Sequence, residues 1–297
     1  MPTSTATVHF RSSSKSVEIP DNLVTVAELK SFLASHFPVT ADRMKLSIIK
    51  SSESTTHLET HKSLASYPEF GLSATPLTLL LKDLGPQISW KGVFLIEYAG
   101  PIAIALGVFA YRSTDHATQL IPLLCFIAHF IKRELETLLV HRFSNDTMPI
   151  ANVFKNSGYY WGFALAICWY LLHPLYTAPS PTTRAIGLAI FGVGELINLY
   201  THIKLASLRP AGTRIRQIPR GFLFDSIVCP NYTFEIISWV GFSVATGLFW
   251  SWAFAGLSTL ILMNWSIAKK KRYQREFDGK DGRLMFPKRW ALFPLLW

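Results

Sequence analysis

The stretch that decides the fold class is FEIISWVGFSVATGLFWSWAFAGLSTLILM, residues 234–263. It contains no lysine, arginine or aspartate, and its one acidic residue is Glu235. An α-helix needs about 20 apolar residues to cross the hydrocarbon core of a bilayer, so this run predicts a membrane segment. It is long enough for one tilted span or two short ones, and the interruption at Gly247 favours two.

Four further apolar blocks precede this run, at residues 92–110, 118–131, 158–172 and 185–205, and the second of them extends toward Val140. Hydrophobic residues make up 49% of the 297-residue chain and aromatic residues 13%, a composition typical of a polytopic membrane protein. We therefore predict a mainly helical membrane domain with six transmembrane helices, with five or seven as the alternatives.

Residues 1–83 differ from the rest because they are rich in serine and threonine and lack any apolar run long enough to span a bilayer. No cleavable signal peptide is visible, so we expect this part to stay on the cytosolic side. Strand patterns occur in TATVHF (5–10), KSVEIP (15–20), MKLSIIK (44–50) and PLTLLLKDL (76–84), and a helical pattern with Thr25 as its N-cap occurs in VTVAELKSFLASHF (24–37).

The order strand, strand, helix, strand, strand is that of a small ubiquitin-like β-grasp domain. We therefore predict such a domain over residues 1–83 and a transmembrane catalytic domain over residues 84–297.

Three cysteines, Cys125, Cys168 and Cys229, lie in or beside apolar blocks at unrelated spacings. They indicate packing residues and suggest neither a disulfide framework nor a metal site.

Basic residues cluster in the short loops between apolar blocks. The three clusters are Lys132, Arg133, His141, Arg142 and Lys155 around the second and third blocks, Arg209, Arg214, Arg216 and Arg220 after the fourth, and AKKKRYQRE at residues 268–276. The positive-inside rule places these loops in the cytosol. It also explains the formal net charge of +10 without a nucleic-acid partner, which would need a basic face on a folded domain.

Polar residues within the apolar blocks are the candidate functional residues, because in hydrocarbon they must face a cavity or a partner. Lys132 and Glu136 share a helical face, either as a catalytic pair or as a juxtamembrane ion pair of little consequence. Glu195, Asn198 and His202 form a polar stripe that leads into four arginines, and guanidinium groups bind phosphate bidentately. No glycine-rich dinucleotide fingerprint is present, so a dinucleotide would be bound by side chains.

The run CPNYTFEIISW, residues 229–239, sets Asn231 and Glu235 one helical turn apart with Tyr232 between them. Asn231 can be a helix N-cap and Tyr232 an interfacial aromatic residue, or the three can belong to a functional site. The basic tail at residues 268–276 can likewise be a lipid headgroup anchor.

Four segments together resemble the very-long-chain trans-2,3-enoyl-CoA reductases of the endoplasmic reticulum, which belong to the steroid 5-alpha-reductase superfamily. They are HRFSNDTMPIANVFKNSGYYWGF (141–163), HPLYTAP (173–179), LRPAGTRIRQIPRGFLFDSIVCPNYTFEIISW (208–239) and KKRYQREF (270–277). The resemblance runs from about Lys132 to the C-terminus, and the family also carries a ubiquitin-like N-terminal segment.

The resemblance implies NADPH-dependent reduction of the 2,3 double bond of a very-long-chain enoyl-CoA, the last step of fatty-acid elongation, beside the other elongation enzymes of that membrane. It places Tyr232 at the proton-donating tyrosine and Lys132 and Glu136 at positions associated with activity. The cofactor contacts that it implies are Asn198, His202, Arg209, Arg220, Asn231, Glu235, Lys269, Tyr273 and, more weakly, Arg142.

The chain departs from the steroid-reducing branch of that superfamily at two places. His202 replaces an acidic residue, and lysines at 269–271 replace histidines in the tail, which favours a cationic contact with phosphate. A phenol has a pKa of about 10 and needs a nearby cation to act as an acid at neutral pH. We expect Lys132, held by Glu136, to reach Tyr232 across the helices.

Two other functions are compatible with these residues. One is reduction of a steroid or polyprenal double bond by the same fold and cofactor. The other is a non-catalytic membrane adaptor, whose ubiquitin-like domain binds a partner while the helices only anchor it. An adaptor has no need of the intramembrane set of asparagine, histidine, arginine, tyrosine and glutamate.

Overall fold

The computed structural model describes residues 4–51, 54–70, 77–114, 116–143, 146–209, 217–280, 282 and 284–294. Two members of the predicted arginine loop, Arg214 and Arg216, lie outside the described residues. The chain divides into two compact units, residues 1–89 with 147–151, and residues 90–146 with 152–297. The division between them lies six residues beyond the predicted 83/84 boundary, because a short ribbon of β6 (Gln87–Ser89) and β7 (Thr147–Pro149) belongs to the first unit.

In its described residues, the first unit contains a five-stranded sheet and one α-helix. Its elements are β1 (Ser4–Phe10), β2 (Ser13–Ile19), α1 (Val26–Ala34), β3 (Met44–Ser51), β4 (Ser54–His57) and β5 (Leu77–Asp83). The strand order is β2-β1-β5-β3-β4, with β1 and β5 parallel and the other pairs antiparallel. The predicted element order is confirmed; β4 is an addition, because its sequence STTH has no apolar alternation to reveal it.

Helix α1 begins where the sequence predicts. Thr25 Oγ1 accepts a hydrogen bond from Glu28 N at 3.2 Å, and Glu28 Oε2 accepts one from Thr25 N at 3.0 Å, which completes a capping box.

At the end of β5, Asp83 accepts two hydrogen bonds from Arg43, at 2.6 and 3.0 Å, and these lower the pKa of the Asp83 carboxyl.

The second unit is helical. Its elements are α2 (Trp90–Arg112), α3 (Ala117–Leu135), α4 (Ala151–Leu171), α5 (Pro181–Ser207), α6 (Pro230–Thr246) and α7 (Phe249–Glu276). Three of these, α2, α5 and α7, are long and apolar enough to cross a membrane by length and composition. The predicted break at Gly247 is confirmed: its φ of +66° is the left-handed conformation that ends α6 without strain only for glycine.

Helices α5 and α6 pack with their backbones in contact. A Cβ atom added at Gly187 of α5 would lie 2.4 Å from Ala245 N of α6, and one at Gly194 would lie 2.4 Å from Ser238 Oγ. Only hydrogen at these positions permits so close an approach. The pairing sets the polar stripe of α5 directly against α6.

Helix α3 ends in a single π-helical turn, Glu136–Val140, closed by a 2.7 Å hydrogen bond from His141 N to Glu136 O. Such turns are frequent at functional sites because they reorient side chains at a helix end.

The three cysteines are free thiols within the packed unit, with Cys168 and Cys229 buried and Cys125 partly buried, as predicted for packing residues.

Candidate active site

The predicted polar stripe lies on α5 and faces the protein interior. Asn198 is 1% exposed and His202 8% exposed, and the side chain of Glu195 is 13% exposed. A polar group buried without a hydrogen-bond partner is costly, so such a stripe requires partners on neighbouring helices. Those partners come from α3 and α6.

Lys132, near the C-terminal end of α3, is the first of these partners. Its Nζ donates to Asn198 Oδ1 at 2.7 Å and pairs with Glu195 Oε2 at 2.7 Å. The predicted partner Glu136 is farther away, with its Oε1 at 3.9 Å. The i,i+4 pair therefore exists, but the shorter contacts of Lys132 join α3 to α5.

Glu136 is buried and is balanced by other cations. It accepts a hydrogen bond from Arg133 Nη1, and its Oε1 lies 3.0 Å from His202 Nδ1. Arg133 also donates to the hydroxyl of Tyr98 on α2 at 3.1 Å. A buried carboxylate is tolerated only when paired in this way.

Glu136, His141 and His202 offer three donor atoms within 4.8 Å of one another, a spacing at which metal ligands occur. The guanidinium of Arg133 and the ammonium of Lys132 already neutralise the Glu136 carboxylate. Their positive charge opposes a second cation at the same place. The arrangement therefore suits a hydrogen-bond network better than a metal ion.

His129 extends this network toward α6. Its Nδ1 lies 2.9 Å from Glu195 Oε1, and its Nε2 lies 3.5 Å from Glu235 Oε1. The indole of Trp239 donates to the same Glu235 oxygen at 3.2 Å. Glu235 thus faces α3.

Asn231 joins the network at the first turn of α6. Its carbonyl accepts a 2.8 Å hydrogen bond from Asn198 Nδ2, and its own Nδ2 lies 3.4 Å from His202 Nε2. Its Oδ1 is buried and has no hydrogen-bond partner among the described residues. We refer to these connected residues as the polar cluster, which comprises His129, Lys132, Arg133, Glu136, Glu195, Asn198, His202, Asn231 and Glu235.

Tyr232 lies on the other side of α6, beside α7. The ammonium of Lys269 lies 5.9 Å from the centres of both the Tyr232 and Tyr273 rings, and the Trp265 ring lies 6.4 Å from Tyr232. The expectation that Lys132 supplies the cation beside Tyr232 is thereby corrected: Lys269 occupies that place, and Lys132 is held by Asn198 and Glu195. The reason is that Tyr232 lies about 100° round the helix from Asn231.

Three of the predicted arginines, Arg142, Arg209 and Arg220, lie in the loops that adjoin the helix ends. Arg209 Nη1 donates to the carbonyl of Arg142 at 2.8 Å, so the end of α5 contacts the residues that follow α3. Arg220 is exposed and precedes Gly221, whose φ of +75° permits the sharp turn of the PRG segment. Gly221 N donates to Asp225 Oδ2 at 2.7 Å, which holds that turn.

Comparisons with known proteins show the family of this chain. The family described as 3-oxo-5-alpha-steroid 4-dehydrogenase matches residues 146–297. A protein of Dictyostelium discoideum named "Very-long-chain enoyl-CoA reductase" is 40% identical over 281 residues, 92% of each chain. The chain belongs to the very-long-chain enoyl-CoA reductase family. Within this family, a Caenorhabditis elegans protein named "Probable very-long-chain enoyl-CoA reductase art-1" is 39% identical over 70% of this chain and 74% of its own. A human protein named "Trans-2,3-enoyl-CoA reductase-like" is 34% identical over 68% of this chain and 61% of its own.

The sequence of this enoyl-CoA reductase family member did not predict three members of the polar cluster as site residues. They are His129, Arg133 and Glu195. His129 and Arg133 lie on α3, and the spacing of 129, 132/133 and 136 puts them on one face of the helix. A search for polar residues inside the apolar blocks would have found His129. Glu195 was noted as part of the stripe, but its role as the shared partner of His129 and Lys132 depends on the packing of α3 against α5.

Proposed function

We propose that this protein uses NADPH to reduce the trans-2,3 double bond of very-long-chain enoyl-CoA, the last step of the fatty-acid elongation cycle in the endoplasmic reticulum membrane, where it would work beside the other elongation enzymes. The observation that carries the proposal is the 40% identity over 92% of both chains with a protein named very-long-chain enoyl-CoA reductase. The geometry of α6 supports the reaction: one face carries Asn231 and Glu235 of the polar cluster, and the other carries Tyr232 beside Lys269.

The residues present fit a phosphate-bearing nicotinamide cofactor. Asn231 Oδ1 is a buried acceptor without a described partner, and a carboxamide N–H is the kind of donor that it lacks. Asn231 and His202, with Asn198 and Glu235 behind them, would hold the nicotinamide end. Arg209, Arg220, Arg142 and Tyr273 would hold the phosphate-bearing end, whereas Lys269, 5.9 Å from the centre of the Tyr232 ring, would serve Tyr232 instead of the phosphate contact that the resemblance implies. When bound, NADPH supplies the hydride that reduces C3 of the enoyl thioester.

The residues of this chain would then manage the proton. The thioester carbonyl withdraws density through the double bond, so reduction at C3 leaves an enolate that must be protonated at C2. Tyr232 would give its phenolic proton to C2, and the positive charge of Lys269 beside its ring would stabilise the phenolate that remains.

Lys132 and Glu136 would act as positioning residues. Lys132 holds Asn198, and Asn198 in turn donates to the carbonyl of Asn231, the residue immediately before Tyr232. Glu136 holds His202 against the same asparagine. The polar cluster thereby determines where the first turn of α6 lies, and a misplacement of about 1 Å at such a site costs a large factor in rate.

The experiment is NADPH oxidation by the detergent-purified protein with a series of enoyl-CoA chain lengths, in wild type and in Tyr232→Phe. The variant should lose at least about a hundredfold in turnover with little change in the Michaelis constant for NADPH, because it keeps the ring and loses only the hydroxyl group that carries the proton. Tyr111→Phe is the matched control, since Tyr111 is 76% exposed on α2.

Near-wild-type turnover of Tyr232→Phe would remove the proton-donor role. The substrate class is decided separately by offering a C20 enoyl-CoA, a 3-oxo-4-ene steroid and a polyprenal to the wild type. Reduction of the steroid or polyprenal alone would favour the other branch of the superfamily, and no NADPH binding at all would favour the non-catalytic adaptor.

We propose in addition that α2 to α7 all span the membrane, with the first unit and the site on the cytosolic side. The C-terminal ends of α3, α5 and α7 and the N-terminal end of α6 all carry site residues and adjoin the basic loops, which supports this orientation. The strand order β2-β1-β5-β3-β4 with its central parallel pair supports a ubiquitin-like domain over residues 1–83.

A further inference from the structure

The C-terminal segment after α7 returns to the start of α6. Val228 N donates to Trp290 O at 2.8 Å, Trp290 N to Ser226 O at 2.9 Å, and Cys229 N to Ala291 O at 3.3 Å. These bonds form a short parallel pairing that places residues 289–291 beside the end of the arginine loop. Arg289 is therefore carried into the interior near Tyr273 and the PRG segment.

Arg289 is a buried cation, and three of its five N–H donors, one on Nε and two on Nη2, are unused among the described residues. Its side chain is 1% exposed, and its Nη1 donates to Pro219 O at 2.8 Å. Its Nε and Nη2 are buried and have no hydrogen-bond partner among the described residues. Asp225 Oδ1 lies 3.8 Å from Nη2, beyond hydrogen-bond distance, while Asp225 Oδ2 accepts from Gly221 N.

The two unused groups have a specific geometry. Nε–H and the N–H of Nη2 point from the same edge of the planar guanidinium, and this edge binds two oxygens of one phosphate or carboxylate in parallel. A buried cation with open donors is unfavourable until an anion completes it. The unused edge is thus the one whose donors match the oxygens of an oxyanion.

A second guanidinium contributes to the same region. Arg289 Nη1 donates to the carbonyl of Pro219, and Arg220 is the next residue along the chain. Burial lowers the pKa of Arg289, and the nearby charge of Arg220 lowers it further. Asp225 and Tyr273 act in the opposite direction but leave the pKa lowered. Two neighbouring cations with one half-exposed carboxylate leave net positive charge, which suits a ligand with more than one negative charge, as a phosphate has.

We propose that the Nε–Nη2 edge of Arg289 is a binding fork for a phosphate group, shared with Arg220. The proposal rests on the proposed function only in naming the sources of that phosphate, which are the 2′-phosphate of NADPH and the 3′-phosphate of the CoA substrate. Both present a phosphate monoester on an adenosine ribose, and the fork recognises that shared chemistry.

The test measures binding, not turnover, on the detergent-purified full-length protein by isothermal titration calorimetry. The probes are adenosine 2′,5′-bisphosphate for the cofactor phosphate, adenosine 3′,5′-bisphosphate for the CoA phosphate, and AMP, which lacks both. Arg289→Gln should weaken one bisphosphate by about tenfold or more, because hydrogen bonds to a charged group are lost, and should leave AMP nearly unchanged. Lys288→Gln removes the same charge from the adjacent exposed residue and should change neither.

Two further variants separate the fork from a purely structural role. Arg289→Lys keeps the charge but has no fork, so it should also weaken the bisphosphate, and it serves if Arg289→Gln does not fold. Asp225→Asn keeps an acceptor for Gly221 N and removes the nearby negative charge, so it should bind the bisphosphate as well as wild type or more tightly.

The proposal is overturned if Arg289→Lys binds both bisphosphates as wild type does. It is equally overturned if Asp225→Asn weakens binding as much as Arg289→Gln, since Asp225 would then be the natural partner of Arg289, or if wild type binds neither bisphosphate more tightly than AMP. Because no enoyl-CoA is present, failure of the reductase assay and failure of the fork are separate results.

Discussion

Lys132 connects two helices of the membrane unit through two short contacts, to Asn198 and Glu195 on α5. Glu195 in turn pairs with His129, and Asn198 holds the carbonyl of Asn231, so one ammonium links α3, α5 and the first turn of α6. In a low-dielectric interior such contacts are strong when paired and costly when broken. At the scale of single residues, the geometry of the site depends on this series of contacts.

We expect Lys132 and Glu195 to be energetically coupled more strongly than Lys132 and Glu136. A double-mutant cycle on kcat/KM with Lys132→Met and Glu195→Gln should give a coupling energy of about 1 to 3 kcal/mol. The matched cycle with Glu136→Gln should give a smaller value, because the Lys132–Glu136 distance is 3.9 Å against 2.7 Å for Glu195. Additive effects in the first cycle would show that the Lys132–Glu195 pair does not matter for the site.

At the scale of elements, the close packing of α5 on α6 brings the asparagines together. Gly187 and Gly194 of α5 and Gly241 of α6 lie where an added Cβ would meet backbone or side-chain atoms at 2.4 Å. Because Asn198 on α5 must reach the carbonyl of Asn231 on α6, the separation of these helices determines whether the polar cluster closes. The glycines are therefore required by the site as well as by the fold.

Gly187→Ala should destabilise the protein, whereas Gly192→Ala on the same helix should not. The first substitution forces a methyl group to within 2.4 Å of Ala245 N, and overpacking of this kind costs about 1 to 3 kcal/mol; the second meets nothing within 4 Å. Thermal unfolding in detergent should show a lower midpoint for Gly187→Ala alone, with reduced activity. Equal midpoints for the two variants would contradict the close approach of α5 and α6.

At the scale of the whole molecule, the chain consists of two units that each have a hydrophobic core. The core of the first unit includes Leu29 and Leu33 from α1 and Leu46 and Leu79 from the sheet, all fully buried. The core of the second is aromatic, with Phe126, Trp239 and Phe242 at its centre. A unit with its own core can fold without the other.

We expect residues 1–89, expressed without the helices, to fold and to unfold cooperatively on heating. Leu79→Ala should lower the midpoint strongly, since removing a fully buried leucine side chain costs about 2 to 5 kcal/mol, while Val24→Ala should have little effect because Val24 is 62% exposed. Circular dichroism and NMR chemical-shift dispersion provide the readout. A disordered fragment would show that this core depends on the rest of the chain.

The sequence predicted most of the fold because its signals are local. The length of the apolar blocks indicates helices, the alternation in residues 5–10 and 44–50 indicates strands, and Gly247 marks the break between α6 and α7. The apolar block from residue 158 marks only the later part of α4, which begins at Ala151, because Asn152, Lys155, Asn156 and Ser157 interrupt the apolar pattern of its first turns. Strand β4 was missed because it has no apolar pattern.

What the sequence by itself determined is which residues lie on one helical face: Lys132 with Glu136, Asn198 with His202, and Asn231 with Glu235, with Tyr232 turned away. Spacing along one helix decides this, because the 3.6-residue period is a property of the backbone. Only the tertiary structure decided which faces meet. The pairing of Lys132 with Glu195, of Tyr232 with Lys269, and the burial of Arg289 against Pro219 each join residues more than thirty positions apart, and packing alone brings such residues together.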